Sequence, residues 1–264
     1  PLYVQYFKWA KGMVTWDLGY SFNWRIPVAE LIGDRLVNTL VLSLVTILFT
    51  WALAFPIGII SAVKQYSFID YFFTFLSYFG VGTPNFMIAL VALYVVFVTW
   101  GTTLSGLHSP EYMQEPMSWG KFIDLLKHMW IPMLIIGTDG TAGLSRIVRA
   151  NMLDELSKPY VVTARAKGAS SWRLILKYPV RVAINPLVST VGYLLPALIS
   201  GSIIVSVVLS LPTLGPVLLK SMIQEDVYLA GFIVMILGVL TVIGTLLSDI
   251  LLAVVDPRIK LTGK

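Results

Sequence analysis

Between Arg35 and Lys64 the chain runs without a single Asp, Glu, Lys or Arg, and three more intervals repeat the pattern: Asp70 to Glu111, Arg181 to Lys220, and Asp226 to Asp249. A charge at mid-membrane costs about 2.5–3.5 kcal/mol on insertion scales, whereas each Leu, Ile, Phe or Val gains only about 0.3–0.6 kcal/mol. A bilayer core about 30 Å thick takes roughly 20 apolar helical residues to cross. The intervals therefore read as membrane spans, with apolar bodies at 39–60, within 71–100, at 185–209 and at 227–248. A fifth, weaker span starts at Ile131. Its first half is apolar, and its second half, Thr138-Asp139-Gly140-Thr141-Ala142-Gly143, suits a bundle interior or a pore better than lipid.

Composition agrees with this reading. Hydrophobic residues make up 57% of the 264 and charged residues 12%, about half the roughly 25% charged share of a soluble domain. The net charge of +5 is gathered between Arg146 and Arg181 rather than spread over a face that could track nucleic acid. Cysteine is absent, which excludes disulfide and thiolate-metal frameworks. Gly and Pro interrupt the spans at Pro56 and Gly58, at Gly80, Gly82 and Pro84, and at Gly192 and Pro196. Ordinary tolerance of these residues in membrane helices accounts for each singly; kinks that shape a cavity are the functional alternative.

Positive charge marks the cytoplasmic side. One set of loops holds Lys64, the eight Lys and Arg from Arg146 to Arg181, and Arg258, Lys260 and Lys264, twelve of the 19; the alternate set holds the other seven. The first set, with the C-terminus, is expected in the cytoplasm. Five spans then leave the N-terminus outside, which calls for a further N-terminal helix ahead of this chain. The expected organisation is an extracytoplasmic segment at 1–35, a membrane domain at 36–255 with a cytoplasmic loop at 150–181, and a cytoplasmic tail at 256–264.

The basic loop has internal punctuation. Ser157 is placed to cap a helix with Pro159 in its first turn, Gly168 to end that helix in a left-handed conformation, and Ser170 or Ser171 to cap a second short helix that Pro179 stops. Two short helices joined at a glycine form an elbow able to transmit a push. Thr163-Ala164-Arg165-Ala166-Lys167-Gly168 resembles the EAA loop of ABC-importer permease subunits in its peptide-transporter form, with the initial Glu of the sugar-type motif replaced by Val162. The resemblance runs along nearly the whole chain. Pro1-Leu2-Tyr3-Val4-Gln5-Tyr6 and Asp17-Leu18-Gly19-Tyr20-Ser21 look like the segment after the first helix of oligopeptide and dipeptide (peptide/nickel) permeases. Arg35 to Leu40, Gly82 to Phe86 and Asp256 to Ile259 resemble later signatures in the same order. The pattern is nearer the subunit with the larger extracytoplasmic segment. Ser206 and Leu211-Pro212-Thr213-Leu214-Gly215 depart from the family's acidic residue and Pro-Gly-Leu-Gly turn, so substrate entry or receptor docking could differ there.

The resemblance implies an all-α, type I ABC importer permease-like bundle in a bacterial or archaeal plasma membrane. It implies partners too: a second homologous permease, two cytoplasmic ATPases holding ATP and Mg²⁺, and an extracytoplasmic binding protein, but no nucleic acid. Thr163, Ala164, Arg165, Ala166, Gly168, Ala169 and Ser170 become candidates for ATPase contact. Asp139, with Thr138 and Thr141, is a candidate for the translocation path, where it could meet a peptide amine or simply bond its neighbours. The imported solute is expected to be a di- or oligopeptide, with nickel or another small solute as the alternative and an ion-coupled secondary transporter as the competing class. No catalytic residue, cofactor or metal site is expected in this chain. Neither Gly120-Lys121 nor Gly263-Lys264 completes a phosphate loop, and His108 and His128 read as solvated loop histidines.

Overall fold

The computed structural model describes residues 1–15, 17–101, 106–112, 115–116, 118–184, 188 and 201–255. The tail at 256–264, the interval 189–200 with Gly192 and Pro196, and Trp16 lie outside the described residues. Among the described residues the regular structure is helical, apart from an isolated bridge between Tyr20 and Pro27. In chain order the α-helices are α1 (Leu2–Val14), α2 (Val28–Val63), α3 (Phe68–Gly82), α4 (Asn85–Trp100), α5 (Trp119–His128), α6 (Trp130–Leu156), α7 (Pro159–Ala166), α8 (Ser171–Lys177), α9 (Pro179–Ala183), α10 (Ile203–Val208), α11 (Leu214–Ile223) and α12 (Val227–Val255).

Helices α2 and α12 are each long and apolar enough to cross a membrane. The interval 71–100, expected as one helix, is two: α3 and α4 are bent by 97° across Thr83 and Pro84. The residue before a proline is driven out of the α region, and Thr83 is extended, with ψ 119°. Helix α6 continues from the apolar Trp130 end through Asp139 and the arginines to Leu156, so the fifth span and the start of the basic loop are one helix. Helix α2 begins at Val28, inside the segment expected to precede the membrane domain.

The chain falls into two compact units. The first comprises Pro1–Leu44, Ala89–Pro132 and Pro196–Leu240. Its core gathers Leu18, Val28, Leu31, Ile32, Leu214, Val217, Leu218, Leu229, Phe232 and Ile233. Polar ties fix its loops. Ser21 Oγ donates to the buried Asp226 carboxylate at 2.6 Å while Asp226 Oδ1 accepts the Leu229 N–H at the start of α12. Thr213 makes no side-chain cap for α11. Thr39 Oγ1, from α2, accepts the Leu214 N–H at 2.9 Å instead.

The second unit comprises Val45–Ile88, Met133–Leu195 and Thr241–Lys264. Its core joins Ala54 and Ala62 of α2, Leu144, Val148 and Met152 of α6, and Val161, Leu174, Ile175 and Ala183 from the short helices. Gly58 permits the approach of α2 to α6: a Cβ there would lie 2.5 Å from Val148 Cβ and 2.7 Å from the Ser145 carbonyl oxygen. Small residues at such crossings let membrane helices close without relying on a hydrophobic driving force.

Candidate functional site

The elbow is built from both of its ends. Lys158, extended at ψ 146°, is the N-cap of α7, with Pro159 in the first turn, where a missing N–H leaves no bond unmade. Ser157 does not cap it, contrary to the sequence reading; its Oγ donates backwards to the Asp154 carbonyl at 2.8 Å. The physical reason is that α6 runs to Leu156, so Ser157 serves the orphan carbonyls of that helix first. At the other end Gly168 takes φ +79°. Its N–H donates to Arg165 O at 3.0 Å and the Ala169 N–H donates to Ala164 O at 3.3 Å. That pair of crossed bonds is a Schellman motif, which needs a left-handed residue at this position. Ser170 precedes α8 without a side-chain cap, and Pro179 opens the further short helix α9 rather than simply ending α8.

One face of the elbow is anchored and the other is bare. Val161, Leu174 and Ile175 are buried against α2 and α6, and Ala164 and Ala169 pack at the edge of that cluster. Each such aliphatic side chain contributes about 1.5–3 kcal/mol when fully buried. Tyr160 donates to the Glu155 carboxylate, and its ring lies 6.2 Å from that of Tyr178, bracing α7 against α8. Of the seven contact candidates, Thr163, Arg165, Ala166, Gly168 and Ser170 are exposed, while Ala164 and Ala169 are half-buried. Thr163 Oγ1 is spent within its own helix on Pro159 O. Sequence reasoning missed the apolar part of the bare face: Trp172 is 69% and Leu176 58% exposed. The available signal was their spacing of four on a helix whose other face carries Leu174 and Ile175.

The three candidates for the translocation path separate. Thr138 and Thr141 line a cavity of about 280 Å³ together with Phe49, Leu53 and Ile57 of α2, Ser77 and Gly80 of α3, and Ser145 of α6. Thr138 Oγ1 donates to Leu134 O at 2.7 Å, whereas Thr141 Oγ1 is buried without a hydrogen-bond partner among the described residues. Asp139 is exposed and does not line the cavity; one residue along a helix turns the side chain about 100° away. The walls are mainly apolar, with Ser77 and Ser145 hydroxyls 3.1 Å apart at one side.

Two polar clusters were not legible beforehand. Arg149 donates to both oxygens of the buried Asp70 at 2.8 Å, and Asp70 also accepts the Tyr66 N–H, clamping α6 to the start of α3. In the first unit His108 is buried rather than solvated. Asp124 accepts from the Ser109 N–H and Oγ at 2.8 and 2.7 Å and lies 3.6 Å from His108 Nδ1 and 3.3 Å from His128 Nδ1. Burial, aided by the Lys121 ammonium, holds His108 below the usual imidazole range against the pull of Asp124. Burial raises the Asp124 carboxyl, but the Ser109 hydrogen bonds and the two histidines outweigh it and leave it below the usual carboxylate range. Lys121 donates to Glu115 O and lies 3.5 Å from the Asp34 carboxylate.

Long apolar helices define a polytopic membrane protein, and the elbow follows α6. The family comparison gives the class its name: residues 54–261 match the binding-protein-dependent transport system inner membrane component, and the chain belongs to that family. It is 38% identical over 261 residues to the oligopeptide transport system permease protein AppB of Bacillus subtilis, covering 98% of this chain and 81% of that one. It is 32% identical over 276 residues to the dipeptide transport system permease protein DppB of Escherichia coli, again covering 98% of this chain and 81% of the relative. Its fold resembles a chain of the MetNI methionine ABC transporter in inward-facing conformations, with TM-score 0.65 at 16% identity over 87% of this chain and 98% of that one.

Proposed function

We propose that the chain is the membrane-spanning permease subunit of an ATP-driven importer for di- or oligopeptides. It supplies half of the translocation path and receives motion through α7 and α8 from two cytoplasmic ATPases, which hold the ATP and Mg²⁺. A second homologous permease completes the path and an extracytoplasmic binding protein delivers the solute. The observation that carries this reading is the elbow. Its inner face is fixed in the core by Val161, Leu174 and Ile175, its joint is closed by the Gly168 Schellman bonds, and its outer face offers Arg165 and Trp172. An Arg and a large aromatic are the residue types that dominate protein interfaces. Full-length relatives named as oligopeptide and dipeptide permeases support the choice of solute. The cavity lined by Thr138 and Thr141 is the candidate stretch of the path within this chain.

Gly168→Pro tests the reading in proteoliposomes holding the complete importer. Proline fixes φ near −65° and removes the N–H that bonds Arg165 O. The expected result is normal insertion and complex formation with ATP-driven peptide uptake abolished. Undiminished uptake in that variant sinks the coupling role.

A further inference from the structure

In the first unit, a pocket of about 360 Å³ is lined by Trp24, Arg35, Ser206, Thr213, Pro216 and Lys220 among others. Two of these are cations, and among the described residues no acidic side chain is on its walls. Arg35 Cζ lies 5.1 Å and Lys220 Nζ 4.3 Å from the centroid of the Trp24 ring. Neither cation makes an ion pair with any described residue. Three donors at the same place are buried with no hydrogen-bond partner among the described residues: Arg35 Nη1, Trp24 Nε1 and Thr213 Oγ1. Buried donors are almost always paired, so such a cluster points to a missing acceptor. The indole N–H can only donate and Arg has no acceptor. Two positive charges with a guanidinium fork and further donors fit an anion with planar, paired oxygens. Cation–π contact with Trp24 positions both cations. The buried position of the donors requires a ligand that reaches in with its end.

We propose that this pocket binds the terminal carboxylate of a peptide, seated on Arg35 and Lys220 beside the Trp24 indole. The carrier being a peptide rests on the function proposed above; the carboxylate chemistry rests on the pocket alone. Its lining includes Ser206 and the Leu211-Pro212-Thr213 segment, where the sequence departs from the family pattern.

The permease pair in phosphatidylcholine nanodiscs, without binding protein, is titrated with trialanine and with trialanine amide while tryptophan emission is followed. Trialanine is expected to give a saturable change that Trp24→Phe removes, with the amide at least tenfold weaker. Lys220→Gln, at an exposed position that does not threaten folding, is expected to weaken trialanine about tenfold. Equal responses to the two peptides, or no change in Lys220→Gln, overturns the proposal. So does abolition of the titration in discs containing phosphatidylglycerol, which gives the pocket to a lipid phosphate, or a response to the purified binding protein but not to trialanine. Uptake by the complete importer is measured alongside. Uptake with a blank titration defeats this inference alone, whereas loss of uptake by the unaltered importer defeats the function.

Discussion

At the scale of single residues, the Asp70–Arg149 pair sets a buried carboxylate against a guanidinium fork. Asp70 is 2% exposed and has its two oxygens filled by the guanidinium fork and the Tyr66 N–H. Removing one member leaves the other without its counter-charge, which in buried pairs costs 3–5 kcal/mol. Because Arg149 keeps part of its surface exposed, Arg149→Gln is expected at the lower end, about 3 kcal/mol, with Asp70→Asn similar. Unfolding midpoints in detergent within about 0.5 kcal/mol of the parent would refute the clamp. The partners are 79 positions apart in sequence, and Asp70 served the sequence reading only as the edge of an uncharged interval. His108 follows the same logic with a pH readout. Its folded-state value lies below that of the unfolded chain, so the unfolded state takes the proton first. Stability of the 106–128 region is therefore complete above about pH 6.5 and falls as pH drops through and below it. Hydrogen exchange of 106–112, corrected for intrinsic rate, should accelerate from roughly pH 7 to 5, and His108→Leu should flatten that dependence.

At the scale of elements, Gly58 of α2 and Gly143 of α6 behave oppositely. A Cβ on Gly58 meets the Ser145 carbonyl at 2.7 Å, a backbone atom that no rotamer change can move. Gly58→Ala should therefore destabilise by about 1–3 kcal/mol through overpacking. Gly143 in α6 has nothing within 4 Å of the added carbon, and Gly143→Ala should be neutral or stabilise by up to about 1 kcal/mol through helix propensity. Thermal unfolding of the two purified variants checks both signs, and equal shifts contradict the packing argument. The elements themselves were largely readable. Charge placement located α2 and α12, and Pro159 and Gly168 set the bounds of α7 closely, because those residues act through their own backbone. Misjudged were features decided by neighbours. Ser157 went to the end of α6 instead of capping α7. Whether Pro84 kinks a span or breaks it depends on what packs beyond, and here it turns the chain through 97°.

At the scale of the whole molecule, most residues in the apolar windows of the long helices are not buried by the chain itself. Only 33% of the most apolar window of α2 and 22% of that of α12 is buried within it. Water would penalise that exposure at about 25 cal/mol per Å²; lipid and a second permease would not. Twelve of the 19 Lys and Arg fall in the set of segments that includes the elbow, so the elbow side is expected to be cytoplasmic. The bias is a statement about loops near span ends, where it sets orientation. The 264 residues contain no cysteine, so single introduced thiols report without background. Ser170→Cys, on the exposed elbow, and Gln224→Cys, exposed between α11 and α12, are treated with a membrane-impermeant maleimide in cells stripped of any outer envelope. Gln224→Cys is expected to label at once, and Ser170→Cys only after the membrane is permeabilised. Labelling of both from one side, or the reverse order, would mean that the basic elbow does not face the compartment holding ATP, and coupling to a cytoplasmic ATPase would be impossible through it.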